Sequence, residues 1–204
     1  MSDLTAEMTA QYGPNGPVAR AQEWLKKVLI ERDFSAAWAL MTPDNRLDFA
    51  QRWLWANRAH PLMVGRSLEW EAHRLAETEH VSELWSTFAQ LQLDRLAEAY
   101  PLPANGLAGI GASSRPRVLA PDLELVIALR LEDVAALPGT RPIEGGGVVL
   151  EGSVSGHAVV VFAAIAMQHR DGGWLVASLA GELLPSPSWP PTPMETDEGT
   201  SQTD

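Results

Sequence analysis

Proton transfer near neutral pH asks for a histidine or a carboxylate held in an apolar pocket, and this chain offers five histidines. His157 and His169 share one face of a strongly apolar stretch, at its two ends. His157 is a base if that face lines a pocket. It is an idle, half-exposed strand-end residue if it does not. His73 and His80 lie seven apart among Glu69, Glu71, Glu77 and Glu79. On a helix that grouping has the composition of a metal cluster, but the plainer reading is a solvated acidic face. The H-E-x-x-H spacing is missing, so no metal site is assigned. Tyr100 stands before Pro101 at the end of a helical pattern, where its hydroxyl either donates into a pocket or caps the helix in water. With no cysteine in the chain, thiol nucleophiles, disulfides and zinc–thiolate sites are excluded. Gly145-Gly146-Gly147 lacks the Lys-Ser/Thr context of a phosphate loop, and no cofactor is expected.

Eight tryptophans in 204 residues is a high count, and Trp favours interfaces and pocket walls as well as cores. Trp53 and Trp55 are two apart on a helical pattern, so they leave it about 200° apart. Both cannot face one core. Trp53, Trp55, Phe88 and Trp174 are the candidate pocket-lining residues.

These residues must be positioned by helices first and strands second. Ala21, Trp24, Leu25, Val28 and Leu29 form a helical stripe. A short helix over Ala36–Met41 follows, and Thr42-Pro43-Asp44 then opens another with an N-cap, a first-position proline and an early acid. It runs to about Asn57. Residues 67–78 read either as a strand, preferred at 66–74, or as a polar helix, and 82–100 return to a helical period. From Asp122 the period becomes two, with Leu123, Leu125, Ile127, Leu129 and Leu131 on one face. A loop is expected over Pro138–Gly147, and a hairpin between Val148–Val154 and His157–His169. Val159, Val161, Ala163 and Ile165 alternate with Val160, Phe162 and Ala164, so that strand is apolar on both faces and belongs inside a sheet. Asp171-Gly172-Gly173 makes the last tight turn, since it supplies positive φ. Helices followed by an antiparallel meander read as α+β, with the helices on one face of a curved sheet.

The domain is expected over 18–184, after a polar arm at 1–17. The segment 185–204, rich in Pro, Ser, Thr and acid, reads as a disordered tail. Net charge is −11, and all 15 Lys and Arg precede residue 185 without forming a stripe. That distribution argues against a nucleic-acid partner. No apolar run approaches membrane-span length and no secretory leader is visible, so the chain is expected to be cytoplasmic and free of membrane.

The opening helix Ala19–Ile30, the segment Arg32–Pro43 and the closing Asp171-Gly172-Gly173-Trp174-Leu175-Val176-Ala177 together resemble the nuclear-transport-factor-2-like superfamily, over about residues 18–182. The resemblance implies a cone-shaped α+β fold and a family of steroid isomerases, polyketide cyclases, dehydratases, epoxide hydrolases and non-catalytic binding modules. Fold alone licenses no activity. The expected function is a non-catalytic module that binds a small apolar ligand or dimerises. The alternative is an acid–base enzyme of the cyclase or isomerase type. A homodimer is expected from the resemblance and from the apolar second face of Val160, Phe162 and Ala164.

Overall fold

The computed structural model describes residues 13, 15–112, 116–136, 140–143, 147–150, 161–181 and 183–192. His157, Val160, most of the 1–17 arm and everything after Thr192 lie outside the described residues. The architecture is α+β: a helical layer packed on one face of an open antiparallel sheet.

Helix α1 spans Pro17–Lys26 and continues as a π-helical turn, Lys27–Glu31. Its apolar stripe buries Ala21, Trp24, Leu25 and Val28 against the sheet. Arg32, in the left-handed region at φ 55°, ends it. Helix α2, Phe34–Ala39, starts where the Asp33 carboxylate accepts the Ala36 N–H at 3.0 Å. Helix α3, Pro43–Ala56, begins as its sequence dictates, with Thr42 Oγ1 accepting the Asn45 N–H at 3.3 Å.

Residues 66–74 are not a strand. They belong to helix α4, Leu68–Ala76. The alternation of Leu68, Trp70 and Ala72 competes with a helical stripe of Leu68, Ala72 and Leu75, and the helical stripe wins. Ala72 and Leu75 are fully buried while Trp70 is 59 % exposed, its ring carrying the Arg74 guanidinium at 4.7 Å. Glu71 also turns inward. Its Oε2 accepts the Ser82 hydroxyl at 2.9 Å and its Oε1 accepts Arg74 Nη1 at 3.1 Å, which ties α4 to the loop after it. Helix α5, Trp85–Ala99, completes the layer.

The sheet runs β1 (Ile110–Ala112), β3 (Leu123–Arg130), β6 (Val161–Arg170), β7 (Gly173–Ser178), with β2 (Arg117–Ala120) sharing the outer edge of β3 with β1. A short helix α6, Leu131–Ala135, takes over from β3 at Leu131. Strands β4 (Thr140–Ile143) and β5 (Gly147–Leu150) pair with each other. The expected hairpin between Val148–Val154 and His157–His169 lies largely outside the described residues; among them β5 pairs with β4, and β6 with β3 and β7. At the far edge, the α2–α3 connection joins β7 like a short extra strand. Val176 donates to Leu40 O at 2.8 Å and accepts from Thr42 N at 2.9 Å.

The sheet's helix-side face contributes Val126, Ala163, Ile165, Met167 and Val176 to the main core. Phe162 joins them. Its parity assigns it to the opposite face, but a bulge opposite Ala128/Leu129 inserts one residue into β6 and shifts the faces. Its ring then meets Tyr100 at 5.8 Å. On the other face Leu123, Leu125, Ala166 and Ala177 are buried within the single chain, with Ala164 half-buried beside them.

The segment 185–192 corrects the reading of a tail disordered from residue 185. It lies along α3. Ser188 N–H donates to Gln51 Oε1 at 3.1 Å, Arg52 Nη1 donates to Thr192 O at 3.1 Å, and Trp189 packs edge-on against Trp55 with ring centres 5.8 Å apart. Pro/Ser-rich composition signals no helix or strand, but an extended strap needs neither when a helix offers it partners. Trp189→Ala removes the main apolar anchor of this strap. The expected cost is about 1–2 kcal/mol, which lowers Tm by roughly 2–8 °C for a chain of this size. Circular dichroism melting checks this, and an unchanged Tm would show that the strap contributes nothing to stability.

Candidate functional site

The space between the buried face of α1 and the central strands β3 and β6, where the family resemblance directs attention, is filled. The residual void among Ala21, Leu25, Ile110, Val126 and Ile165 is about 10 Å³. That holds one water at most. An open pocket of about 420 Å³ lies at the outer side of α1 against Leu107, Ala108 and Ile110. A larger cleft of about 720 Å³ is bounded by α3, α5, the end of β7 and the C-terminal strap.

Helix α3 supplies one wall as a single stripe, Asn45, Asp48, Phe49, Arg52, Trp53 and Ala56. The spacing of three and four keeps them on one face. Helix α5 supplies Gln92 and Arg95, three apart and so also on one face. Ser178, Leu179 and Ala180 form the floor where β7 ends. A bulge there sets Ala177 and Ser178 against Ala166. Leu183, Leu184, Pro185, Ser186 and Thr192 close the side nearest the strap.

The polar groups of the wall are largely committed. The Asn45 amide donates to Val176 O at 3.1 Å. Ser178 Oγ donates to Leu183 O and accepts the Ala180 N–H, which fixes the turn into the strap. Arg52 Nε donates to Asp48 Oδ2 at 2.7 Å while its Nη1 holds the strap at Thr192 O. Arg52 thus links the cleft to its cover. The Arg95 guanidinium and the Gln92 amide, by contrast, have no partner among the described residues.

Of the aromatic residues singled out from sequence, Trp53 lines this cleft. Its neighbour Trp55 points the other way, 37 % exposed, between Trp189 and the Arg58 guanidinium. Phe88 is fully buried in the aromatic core, with its ring 5.3 Å from those of both Trp38 and Trp53. Trp174 lies at the hairpin end of β7, 5.3 Å from the His169 ring and away from the cleft. Tyr100 caps α5 against Phe162, and burial raises its phenol pKa above the usual value. The structure does not bring these residues to one place.

His80 stacks on Trp85 with ring centres 3.7 Å apart. Burial, with the Arg46 charge second, lowers its pKa, and Asp33 opposes them. His73 is exposed on α4. Among the described residues no cluster of three or more His, Asp and Glu is arranged to hold a metal ion. No helix among them is long and apolar enough to cross a membrane. Burial also raises the Glu124 carboxyl pKa, and its Oε2 has no hydrogen-bond partner. This residue lies on β3, apart from the cleft.

No family model, no curated protein and no solved structure matches this chain.

Asn45, Asp48, Arg52, Gln92 and Arg95 do not stand out as site residues in the sequence. On α3 and α5 they read as the polar faces of ordinary amphipathic helices. The signal was the number of such residues repeating at one helical face opposite a Pro-rich segment, and it carries meaning only once that segment is seen to dock.

Proposed function

We propose that this chain is a non-catalytic module that takes one small, mainly apolar molecule into the cleft between α3, α5 and the C-terminal strap. The observation that carries the reading is the cleft itself. Its volume of about 720 Å³ falls within the range of small-molecule sites, roughly 300–1,000 Å³. Its wall combines Phe49, Trp53, Leu179 and Leu184 with a few convergent polar groups, as such sites do. Helices before strands and the closing Asp171-Gly172-Gly173-Trp174 hairpin support a nuclear-transport-factor-2-like ancestry. On this proposal the ligand site has moved from the sheet's face to the edge of the helical layer.

The test uses a neutral apolar fluorophore, N-phenyl-1-naphthylamine, titrated into the wild-type protein and into Ala56→Trp. Ala56 lines the cleft and is exposed at the end of α3, so the larger side chain fills the site without entering the core. The wild type is expected to bind with a Kd on the order of micromolar, and Ala56→Trp to weaken it by at least about tenfold with an unchanged Tm. Equal binding by both proteins would place the ligand elsewhere and overturn the proposal.

A further inference from the structure

We propose that the ligand of this cleft carries an anionic head, a carboxylate on an apolar body, and that Arg95 and Gln92 receive it; this rests on the cleft being a ligand site. Two independent observations lead there. Arg95 lines the cleft with a guanidinium that has neither an ion pair nor a hydrogen bond among the described residues. Its sequence neighbours do not engage it: Asp94 is held by Arg32 and Gln90, and Glu98 makes no pair with it. One turn earlier, Gln92 is 5 % exposed and also lines the cleft, yet its amide has no hydrogen-bond partner among the described residues. That amide still reaches the solvent of the cleft, so it is a donor open to a ligand's acceptor. An arginine fork beside an amide donor matches the two oxygens of a carboxylate.

The rest of the wall agrees with that polarity. Asp48, the acid among the described lining residues, is already engaged by Arg52, so it does not offer a competing site for a cation. The described lining carries Arg52 and Arg95 against Asp48, a local positive excess in a chain of net charge −11. Beyond the head position, Phe49, Trp53 and Leu179 provide an apolar bed for the body of the molecule.

Three ten-carbon probes separate the possibilities: decanoate, decanol and decylammonium, each titrated by calorimetry below its micelle concentration into the full chain and into Arg95→Gln. Arg95 is exposed on α5, so its replacement leaves the fold intact, which a melting curve confirms. Decanoate is expected to bind the wild type about tenfold tighter than decanol, because a charge-assisted pair at a half-open site adds about that much. Arg95→Gln is expected to bring decanoate to the affinity of decanol while leaving decanol unchanged. Decanol binding as tightly as decanoate, or decylammonium binding tighter than both, would overturn the anionic head and leave the apolar cleft standing. A decanoate preference that survives Arg95→Gln would overturn the assignment to Arg95. Binding of none of the three would overturn the cleft reading as well.

Discussion

Trp38→Ala is expected to unfold a large fraction of this protein at 37 °C. Trp38 is fully buried, with its ring 5.2 Å from Phe34, 5.3 Å from Phe88, 5.7 Å from Trp85 and 6.3 Å from Phe49. Its indole N–H donates to Leu75 O at 3.1 Å and so joins α2 to the end of α4. Truncation of a buried tryptophan costs about 3–5 kcal/mol, and the orphaned carbonyl adds about 1 kcal/mol. Against a total stability of about 5–15 kcal/mol, that removes about a quarter or more. Tm is expected to fall by roughly 10–15 °C. Trp38→Phe keeps most of the ring contacts and loses the hydrogen bond, so it should melt between the two. Urea denaturation followed by circular dichroism measures both. A Trp38→Ala protein as stable as wild type would show that the aromatic cluster is not the centre of the core.

The second large effect is expected at Glu71. Its side chain is 4 % exposed, set between Arg74, Ser82 and the more distant Arg66, whose Nη1 is 3.5 Å away. Glu71→Ala leaves Ser82 Oγ without its acceptor and Arg74 without its buried counter-charge. Loss of one partner from a fully buried pair costs about 3–5 kcal/mol. Arg66 and Arg74 keep partial solvent access and other partners, Glu83 and Val81 O, so the cost here is expected near about 2–3 kcal/mol. Glu71→Gln keeps the acceptor for Ser82 and loses the charge. The stability order wild type, Glu71→Gln, Glu71→Ala is the expected result of chemical denaturation. Equal stability of the Gln and Ala variants would mean that the Ser82 contact contributes nothing.

Much of the helical layer was legible because its signals are local. The stripe of α1 and the Thr42-Pro43-Asp44 start of α3 each fit within one or two turns of chain. The central strands β3, β6 and β7 were legible from their period of two and from the Asp171-Gly172 turn, where Asp171 and Gly172 both take positive φ. Helix α4 was not, because its nine residues satisfy both periods, and its inward Glu71 makes sense only beside Ser82 and Arg74. Phe162 was placed on the wrong face because a bulge is set by strand pairing and leaves no composition signal. The cleft was missed for a related reason. Asp48 and Gln51 look solvated on α3, yet both are buried, and Gln51 accepts from Ser188 of a segment 137 positions away.

The seam between β7 and the α2–α3 connection fixes an order of events during synthesis. The Asn45 amide and the Val176 carbonyl that it meets are 131 positions apart. At about 5–20 residues per second on a ribosome, α3 waits on the order of ten seconds for the strand that completes it. Throughout that interval Trp38, Met41 and Trp53 have the other helices but not the sheet to cover them. The aromatic side of the helical layer is therefore without its sheet until β7, the last of the described strands, has been made.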